Sequence, residues 1–204
     1  DVIEGDVRDD GAVKMAMDGV DVVVHLAAIA AVAPSIKKPG VCNEVNVGGT
    51  LNVLCAARDT GVRRVVFVSS ASIYGPAPSV PTAETAAYAP TSPYAASKAA
   101  GELYCQVFAS LYSVEVVVVR LFNVYGPRQD PASEYSGVVS RFLGRLRAHQ
   151  PIVIEGDGEQ ARDFVFVDDV VHALTLAMKA PAVSGQAFNI GTGRRTTINE
   201  LASV

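Results

Sequence analysis

The residue pattern with the clearest chemical meaning is Tyr94-Ala-Ala-Ser-Lys98. Four residues apart on a helix, the phenol and the ammonium share one face. A free phenol has a pKa of about 10 and is a poor base near neutral pH, but a nearby ammonium favours the phenolate. The pattern therefore predicts a proton acceptor, although Y-x-x-x-K is common by chance and also fits a surface Tyr and Lys on an ordinary helix.

A group of serines gives this pair a context. Ser69 and Ser70 directly follow the apolar run Val65–Val68, which predicts a buried strand, and Ser72 comes after Ala71. Parallel α/β sheets bind ligands at the carboxyl ends of their strands, so a hydroxyl at Ser70 could hydrogen-bond a reacting oxygen. Serines after a strand are also common as loop and capping residues. Together with Tyr94 and Lys98, they predict a site with a hydroxyl, a base and an ammonium.

The elements that must position these residues alternate between strands and helices. Short apolar runs predict strands at Asp21–Leu26, Val65–Val68, Val114–Leu121, Val153–Glu155, Phe164–Val167 and Ala187–Ile190. Helices are predicted at Val41–Thr60, from an N-cap at Ser92 to about Tyr112, at Asp168–Lys179 and from Asn199 onward, with a loop or lid at Pro76–Pro93. Unbroken valine runs indicate strands covered on both faces. The fold class predicted is α/β, a doubly wound parallel sheet of the Rossmann type with a small α/β substrate lobe.

We expect residues 1–125 to be a partial dinucleotide-binding domain and residues 126–204 to be mainly a substrate lobe, with 164–193 returning to the sheet. A dinucleotide fold should open with a strand and a G-x-G-x-x-G turn. That turn is absent: Gly48-Gly49 lies in a helical pattern and Gly191-Thr192-Gly193 comes too late. We therefore expect the chain to be truncated at its start and at its end.

Composition narrows the function classes. The chain has 204 residues, 50% hydrophobic and 19% charged, with a net charge of −4. Its basic residues are scattered and its apolar runs are short, which argues against nucleic-acid binding and against a membrane span. Three well-separated cysteines, Cys42, Cys55 and Cys105, indicate reduced thiols in a cytoplasmic protein rather than metal ligands or disulfides.

Eight ordered segments resemble the extended short-chain dehydrogenases that act on nucleotide sugars, most closely the UDP-glucose or UDP-N-acetylglucosamine 4-epimerases. The segments are Gly5–Asp9, His25–Ala28, Asn46–Thr50, Val68–Gly75, Ser92–Lys98, Arg120–Pro127, Gly156–Phe164 and Asn189–Gly193. Each is weak alone, but their order across nearly the whole chain is specific to the family.

The resemblance implies NAD as the cofactor and assigns residues to it. Asp6 would accept a hydrogen bond from adenine, Val7 would lie against the ring, and Lys98 would also hold the nicotinamide ribose. The complete set implied to bind the cofactor is Asp6, Val7, Leu26, Ala27, Ala28, Asn46, Ser69, Tyr94, Lys98 and Phe122. Asp6 could instead be a helix cap.

The resemblance also implies a nucleotide-sugar site. Asn123 and Arg162 would bind its phosphates, which suits an amide donor and a guanidinium fork. The set implied to bind substrate is Ser70, Ser72, Asn123, Val138, Val153, Glu155 and Arg162. Arg162 could instead form a surface ion pair, and Val138 could be plain core.

Two departures bear on the reaction. Nucleotide-sugar 4,6-dehydratases carry an Asp-Glu pair where this chain has Ala71 and Ser72, and decarboxylases usually carry Glu at the second position. The resemblance therefore implies epimerisation at C4 through a 4-keto sugar, with Ser70, Tyr94 and Lys98 as catalytic residues. Some 4-epimerases have a Lys in place of Ala30, which weakens assignment to that subgroup.

Three function classes stay open at this point. They are a 4-epimerase of UDP-hexoses, another enzyme of the same family (dehydratase, decarboxylase or reductase), and a non-catalytic fragment or sensor. The helix after Pro93 is apolar on nearly every side, and helices of that kind are buried or lie at an interface. Since the family commonly dimerises through this helix and the one near Val41–Thr60, the resemblance implies a homodimer.

Overall fold

The computed structural model describes residues 1–76, 79–133 and 135–204. Its α-helices are α1 (Asp10–Ala16), α2 (Val32–Lys37), α3 (Pro39–Asn43), α4 (Gly49–Thr60), α5 (Pro93–Leu111), α6 (Val138–Arg147), α7 (Val167–Lys179) and α8 (Ile198–Ala202). Its strands are β1 (Val22–His25), β2 (Arg64–Ser70), β3 (Glu115–Leu121), β4 (Asn123–Tyr125), β5 (Ala161–Arg162), β6 (Phe164–Phe166), β7 (Ala187–Ile190) and β8 (Thr196–Thr197). A π-helical turn spans Glu44–Gly48 and a 3₁₀ turn spans Ala71–Tyr74.

Four parallel strands form the central sheet in the order β1-β2-β3-β7. The valine runs of β2 and β3 pair along their full length, from Arg64 beside Glu115 to Ser70 beside Leu121. Their carboxyl ends therefore lie side by side, which brings the serines after β2 next to the segment that follows β3. The predicted parallel α/β fold is confirmed.

Alternate residues of the same strands enter two separate cores. Val65 and Phe67 face α1, α4 and α5, whereas Val66 and Val68 face α7. Successive side chains of a strand point to opposite faces, so an unbroken valine run is apolar on both. Helices consequently cover both faces of the sheet, the doubly wound arrangement that the valine runs predicted.

Local signals place the start of α5. Ser92 is its N-cap and accepts a hydrogen bond from Ala95 N (3.1 Å), and Pro93 is its first residue. Both features were predicted from sequence, because Ser at the N-cap and Pro at the first helical position are intrinsic preferences. No helix of the described residues is long and apolar enough to cross a membrane.

The helix predicted over Val41–Thr60 is interrupted. It consists of α3, the π-helical turn and α4, and it ends at Gly61, whose φ of 76° is left-handed. The π-helical turn contains Asn46, which is buried. Such turns are frequent at functional sites, and this one turns the Asn46 side chain towards the end of β1.

The second half of the chain differs from prediction in two places. Val153–Glu155 is not a strand. Side chains, rather than a neighbouring strand, bond backbone carbonyls in and next to this stretch: Arg145 Nε donates to Pro151 O (2.6 Å), and Gln160 Nε2 donates to Glu155 O (2.7 Å). The strand at 164–166 pairs with β4 in a separate two-stranded sheet, while β7 joins the central sheet. The division at residues 125 and 126 stays a prediction.

Candidate active site

The hydroxyl groups predicted for the site lie at the carboxyl end of β2. Ser70 is the last residue of that strand and caps the 3₁₀ turn, accepting a hydrogen bond from Ser72 N at 3.2 Å. The Ser72 hydroxyl is buried and has no hydrogen-bond partner among the described residues. An unpaired buried hydroxyl is costly unless a ligand or water satisfies it, so Ser72 is suited to contact a bound molecule.

Tyr94 is the second residue of α5, where helices leave backbone N–H groups unpaired. Its N–H donates to the Ser35 hydroxyl of α2 at 3.1 Å, and Ser35 is fully buried. The start of α5 is therefore fastened both by its own cap and by a second helix. This double attachment fixes the position of the Tyr94 side chain.

Burial raises the pKa of Tyr94 above its ordinary value, and a hydrogen bond with Ser70 acts in the opposite direction. The lowering of the Tyr94 pKa that the Y-x-x-x-K pattern predicted is therefore not found in the chain by itself. The reason is that the phenol is largely covered by protein, and burial disfavours its charged form.

Lys98 lies one turn further along α5 and is 5% exposed. Its Nζ donates to Val68 O at 2.7 Å and lies 5.0 Å from the centre of the Phe67 ring. Burial lowers the pKa of Lys98 to about 8. An ammonium has three donors, so one hydrogen bond among the described residues leaves capacity for a ligand's hydroxyl groups.

Asn46 connects the end of β1 to α5. Its side chain accepts from Ile29 N (2.8 Å) and donates to Ile29 O (3.1 Å) and to Ser97 Oγ (2.9 Å). The segment after β1 is thus held open beside α5. Asn46, which the resemblance implies for cofactor binding, therefore links the segment after β1 to α5.

A cavity of about 860 Å³, here called the first cavity, opens at the carboxyl edge of the sheet. Five predicted site residues line it: Ser70, Ser72, Phe122, Asn123 and Arg162. Its walls also include Tyr74, Thr82, Glu84 and Asn189. A concave site with a few polar groups at a sheet edge is a typical small-molecule site.

A second cavity of about 450 Å³ lies beside α6. It brings together five predicted residues, namely Asn123, Val138, Val153, Glu155 and Arg162. Asn123 and Arg162 line both cavities. Donors at a junction between two cavities suit a ligand whose anionic centre separates two different halves.

The other residues predicted to bind the cofactor lie outside the linings of both cavities; they are Asp6, Val7, Leu26, Ala27, Ala28, Asn46, Ser69, Tyr94 and Lys98. Leu26 and Ala27 are exposed just after β1, next to the half-buried Ala28. The Asp6 carboxylate accepts three side-chain and one backbone hydrogen bond from Arg8, which lowers its pKa to about 2. Asp6 does not cap α1, since Asp9 does.

Ser69 is a correction to the predicted cofactor set. Its side chain is buried and donates a hydrogen bond to Glu102 Oε1. The hydroxyl is therefore turned away from the site, because alternate residues of β2 face opposite sides of the sheet. Its neighbour Ser70 is half-buried and lines the first cavity.

Sequence reasoning missed several charged residues. Arg194 and Arg195 line the first cavity, and Arg141 and Arg145 line the second. It also missed a buried ion pair between Arg120 and Glu102 (2.7 Å). A signal was present, since Arg120 directly follows a buried valine run and a charge there needs a partner.

Comparisons with known proteins agree with this geometry. The model of the NAD dependent epimerase/dehydratase family matches residues 1–191. The chain is 47% identical over 182 residues to a UDP-glucose 4-epimerase of Mycolicibacterium smegmatis, covering 89% of the chain and 58% of that protein. It is 39% identical over 204 residues to a putative UDP-glucose 4-epimerase of Methanocaldococcus jannaschii, covering 99% and 66%. Proteins named dTDP-D-glucose 4,6-dehydratase also match.

Among solved structures, a UDP-glucose 4-epimerase of Thermotoga maritima with UDP-glucose superposes with a TM-score of 0.94. The two are 40% identical, and the match covers 98% of this chain and 65% of that one. The chain thus spans under two thirds of the length of these relatives. The family match and the shared parallel sheet confirm both the predicted resemblance and the predicted fold, and the chain belongs to the NAD-dependent epimerase/dehydratase family.

Proposed function

We propose that this protein interconverts nucleotide sugars, most readily UDP-hexoses, by epimerisation at C4 with NAD. The observation that carries the proposal is the set Ser70, Tyr94 and Lys98 at the carboxyl edge of the sheet, with Ala71 and Ser72 following Ser70. Neither a methyl group nor an unactivated hydroxyl can perform the proton transfers of dehydration at neutral pH. The relatives named as UDP-glucose 4-epimerases support the same choice.

Each member of the set has a task in such a reaction. Tyr94 takes the proton from the C4 hydroxyl of the sugar, and Ser70 hydrogen-bonds the same oxygen. Lys98 supplies positive charge beside the phenol and favours its ionised form. The chemistry supplied by NAD, when bound, would be reversible hydride transfer at C4, so that reduction of the 4-keto sugar on its other face gives the epimer.

The residues present fit that cofactor. Lys98 keeps unused donors, and the backbone after β1 is exposed and rich in small residues that allow close approach. Ligands of doubly wound sheets bind beside such strand ends. In this proposal Asp6 and Val7 contact the adenine end, the Leu26–Ala28 segment follows the pyrophosphate, and Phe122 borders the nicotinamide.

The two cavities fit the two halves of a nucleotide sugar. The first cavity contains Ser70 and would take the sugar, and the second would take the nucleotide between Val138, Val153 and Glu155. Asn123 and Arg162, which are common to both cavities, would bind the phosphates. The unpaired hydroxyl of Ser72 supports a polar ligand in the first cavity.

The proposal is tested by product analysis. The protein is incubated with NAD and, in turn, with UDP-glucose, UDP-N-acetylglucosamine, UDP-glucuronate and dTDP-glucose, and the products are separated by anion-exchange chromatography. We expect the C4 epimer of at least one UDP-sugar without net consumption of NAD. A 4-keto-6-deoxy product or release of carbon dioxide would assign the protein to another reaction of the family, and no product would make it non-catalytic.

Tyr94→Phe removes the phenolic oxygen and little volume. We expect kcat to fall by roughly 10²–10⁴-fold, the usual contribution of a general base, while the protein stays folded by circular dichroism. Tyr104→Phe is the matched control, since Tyr104 lies on the same helix with an exposed side chain. Unchanged turnover in Tyr94→Phe would exclude Tyr94 as the base.

The assembly and setting of the protein belong to the same proposal. We expect a homodimer formed through α5, whose exposed side includes Leu103, Val107 and Leu111. A cytoplasmic location is supported by the three free thiols. The proposed domain division at residues 125 and 126 is supported by the sheets, because residues up to 121 form most of the central one.

A further inference from the structure

A buried polar network around Arg120 and Glu102 has no role in the mechanism above. At its centre, Arg120 of β3 and Glu102 of α5 are 3% and 1% exposed at their side chains. The guanidinium donates to both carboxylate oxygens, with distances between 2.7 and 3.1 Å. A buried ion pair by itself adds little net stability, because the cost of desolvating the two charges offsets their attraction. The contacts that the pair makes with neighbouring residues are therefore a better guide to its role.

Those contacts lead to residues 79–91, here called the wall segment. Arg120 Nη1 donates to Glu84 O (2.8 Å), and Arg120 Nη2 donates to the Tyr88 hydroxyl (3.2 Å). Tyr88 in turn donates to Glu102 Oε2 at 2.7 Å. The segment contains no helix or strand, so these side-chain hydrogen bonds, rather than a backbone hydrogen-bond ladder, hold it in place.

The other end of the wall segment is bound to β7. Asn189 Nδ2 donates to Thr82 O (2.8 Å), and Asn189 N donates to the Glu84 carboxylate (3.0 Å). The Tyr74 hydroxyl connects Asn189 to Arg120, because it donates to Asn189 Oδ1 (2.8 Å) and accepts from Arg120 Nη1 (2.7 Å). The segment is therefore attached to β3, α5 and β7 at once.

The same segment lines the first cavity, which Ser70 also lines. Val80, Pro81, Thr82, Glu84 and Thr91 all contribute to that lining. Ser69, which bonds Glu102, directly precedes Ser70. One buried ion pair thus touches both the wall of the cavity and the strand end that carries the reactive hydroxyl.

We propose that Glu102, Arg120 and Tyr88 are positioning residues that hold the wall segment against the first cavity and thereby set the affinity for the sugar half of a nucleotide sugar. The inference rests on the proposed function only in assigning a sugar to that cavity. Removal of the Tyr88 hydroxyl opens the network without leaving either charge unpaired, because Arg120 and Glu102 also bond each other directly.

Tyr88→Phe is the test variant, and Tyr104→Phe is the control. Hydrogen exchange is first measured on the unliganded proteins for peptides covering residues 79–91. We expect exchange in the wall segment to be several-fold faster in Tyr88→Phe and unchanged in Tyr104→Phe, with peptides of β2 and β3 unaffected. Equal exchange in all three proteins would overturn the proposal.

Calorimetric titrations with UDP and with UDP-glucose then show whether the variant loses affinity for the sugar half alone or for the whole nucleotide sugar. UDP lacks the sugar, so we expect Tyr88→Phe to bind it as the wild type does but to bind UDP-glucose 5- to 20-fold more weakly, roughly 1–2 kcal/mol. Equal weakening of both ligands, or of neither, would contradict the assigned role. If the wild type binds neither ligand, the proposed function fails, while the exchange experiment still decides whether the network holds the wall.

Discussion

Among single residues, Tyr94 and Lys98 show how the protein controls ionisation. Burial raises the pKa of Tyr94 and lowers that of Lys98 to about 8, so both groups are shifted towards their neutral forms. Lys98 nevertheless stays protonated at neutral pH, whereas the phenol stays un-ionised. An additional positive charge at this edge, such as the oxidised cofactor carries, would favour the phenolate. The phenolate form would then be most populated when the cofactor is in the state that accepts a hydride.

His25 gives a prediction at the same scale. Its side chain is buried against Phe67 and bonded to Thr50 Oγ1 (3.0 Å), and burial followed by the charge of Lys98 lowers its pKa from 6.5 to about 4. Below pH 6.5 the His25 imidazole is therefore protonated in the unfolded chain, whereas in the folded protein it stays neutral until the pH approaches 4. The contribution of neutral His25 to the free energy of unfolding is complete above pH 6.5 and is lost as the pH falls through about 4. The total loss is on the order of 3 kcal/mol.

Urea unfolding at a series of pH values between 7 and 4 checks this. In His25→Gln, which keeps a hydrogen-bonding group but does not titrate, we expect a clearly smaller loss of unfolding free energy over that range. His172→Gln, at an exposed position on α7, should behave as the wild type. If wild type and His25→Gln lost stability in parallel, His25 would not be the acid-sensitive group.

At the level of elements, α5 carries the site. Ser92 and Ser35 fasten its first turn, Lys98 reaches the end of β2, and Gly101 packs directly against Phe67 of the same strand. These contacts fix how far along the sheet the helix sits. The distance between the Tyr94 hydroxyl and Ser70 depends on that placement, so packing remote from the chemistry controls the site.

Gly101→Ala tests the close packing of α5 on β2. Alanine normally stabilises a helix by about 1 kcal/mol relative to glycine, but a Cβ at Gly101 would lie 2.6 Å from Phe67 Cζ. We expect overpacking to dominate, with a loss of roughly 1–3 kcal/mol in unfolding free energy. Gly40→Ala in α3, where a Cβ meets nothing within 4 Å, should be neutral or stabilising. The same sign for both variants in chemical denaturation would refute this account.

For the whole molecule, the two cavities and the exposed side of α5 lie on different parts of the fold. The cavities form where the ends of the central strands meet α6 and the two-stranded sheets. Leu103, Val107 and Leu111 are spaced four residues apart and form an exposed apolar strip. Exposed apolar surface is typical of association sites.

The dimer prediction follows from that strip. Val107→Glu places a charge at its centre, and we expect it to shift the protein towards monomer by at least tenfold in dissociation constant in sedimentation velocity. Leu146→Glu, at an exposed apolar position on α6, is the matched control and should leave the wild-type assembly unchanged. A wild type that is monomeric at every concentration would refute the prediction.

Local signals made much of the fold predictable. The valine runs predicted strands covered on both faces, and Ser92-Pro93 predicted the start of α5 correctly because caps and proline act within one turn. The prediction at Val153–Glu155 was wrong, since an apolar stretch becomes a strand only when another strand pairs with it. The break in the Val41–Thr60 helix was also missed, because the bonds of Asn46 to Ile29 and Ser97 join distant parts of the chain.

The sequence alone determined the family, the α/β class and the candidate catalytic residues, because these depend on ordered residue types and on periodicity. The tertiary structure decided which of those side chains share a cavity, that Ser69 faces inward, and that Tyr94 and Lys98 are shifted in pKa by burial. It alone placed Arg120 against Glu102 and Tyr88, and Tyr74 against Asn189. Burial and long-range hydrogen bonds arise only when separate segments pack together, so the spacing of residues along the chain carries no direct record of them.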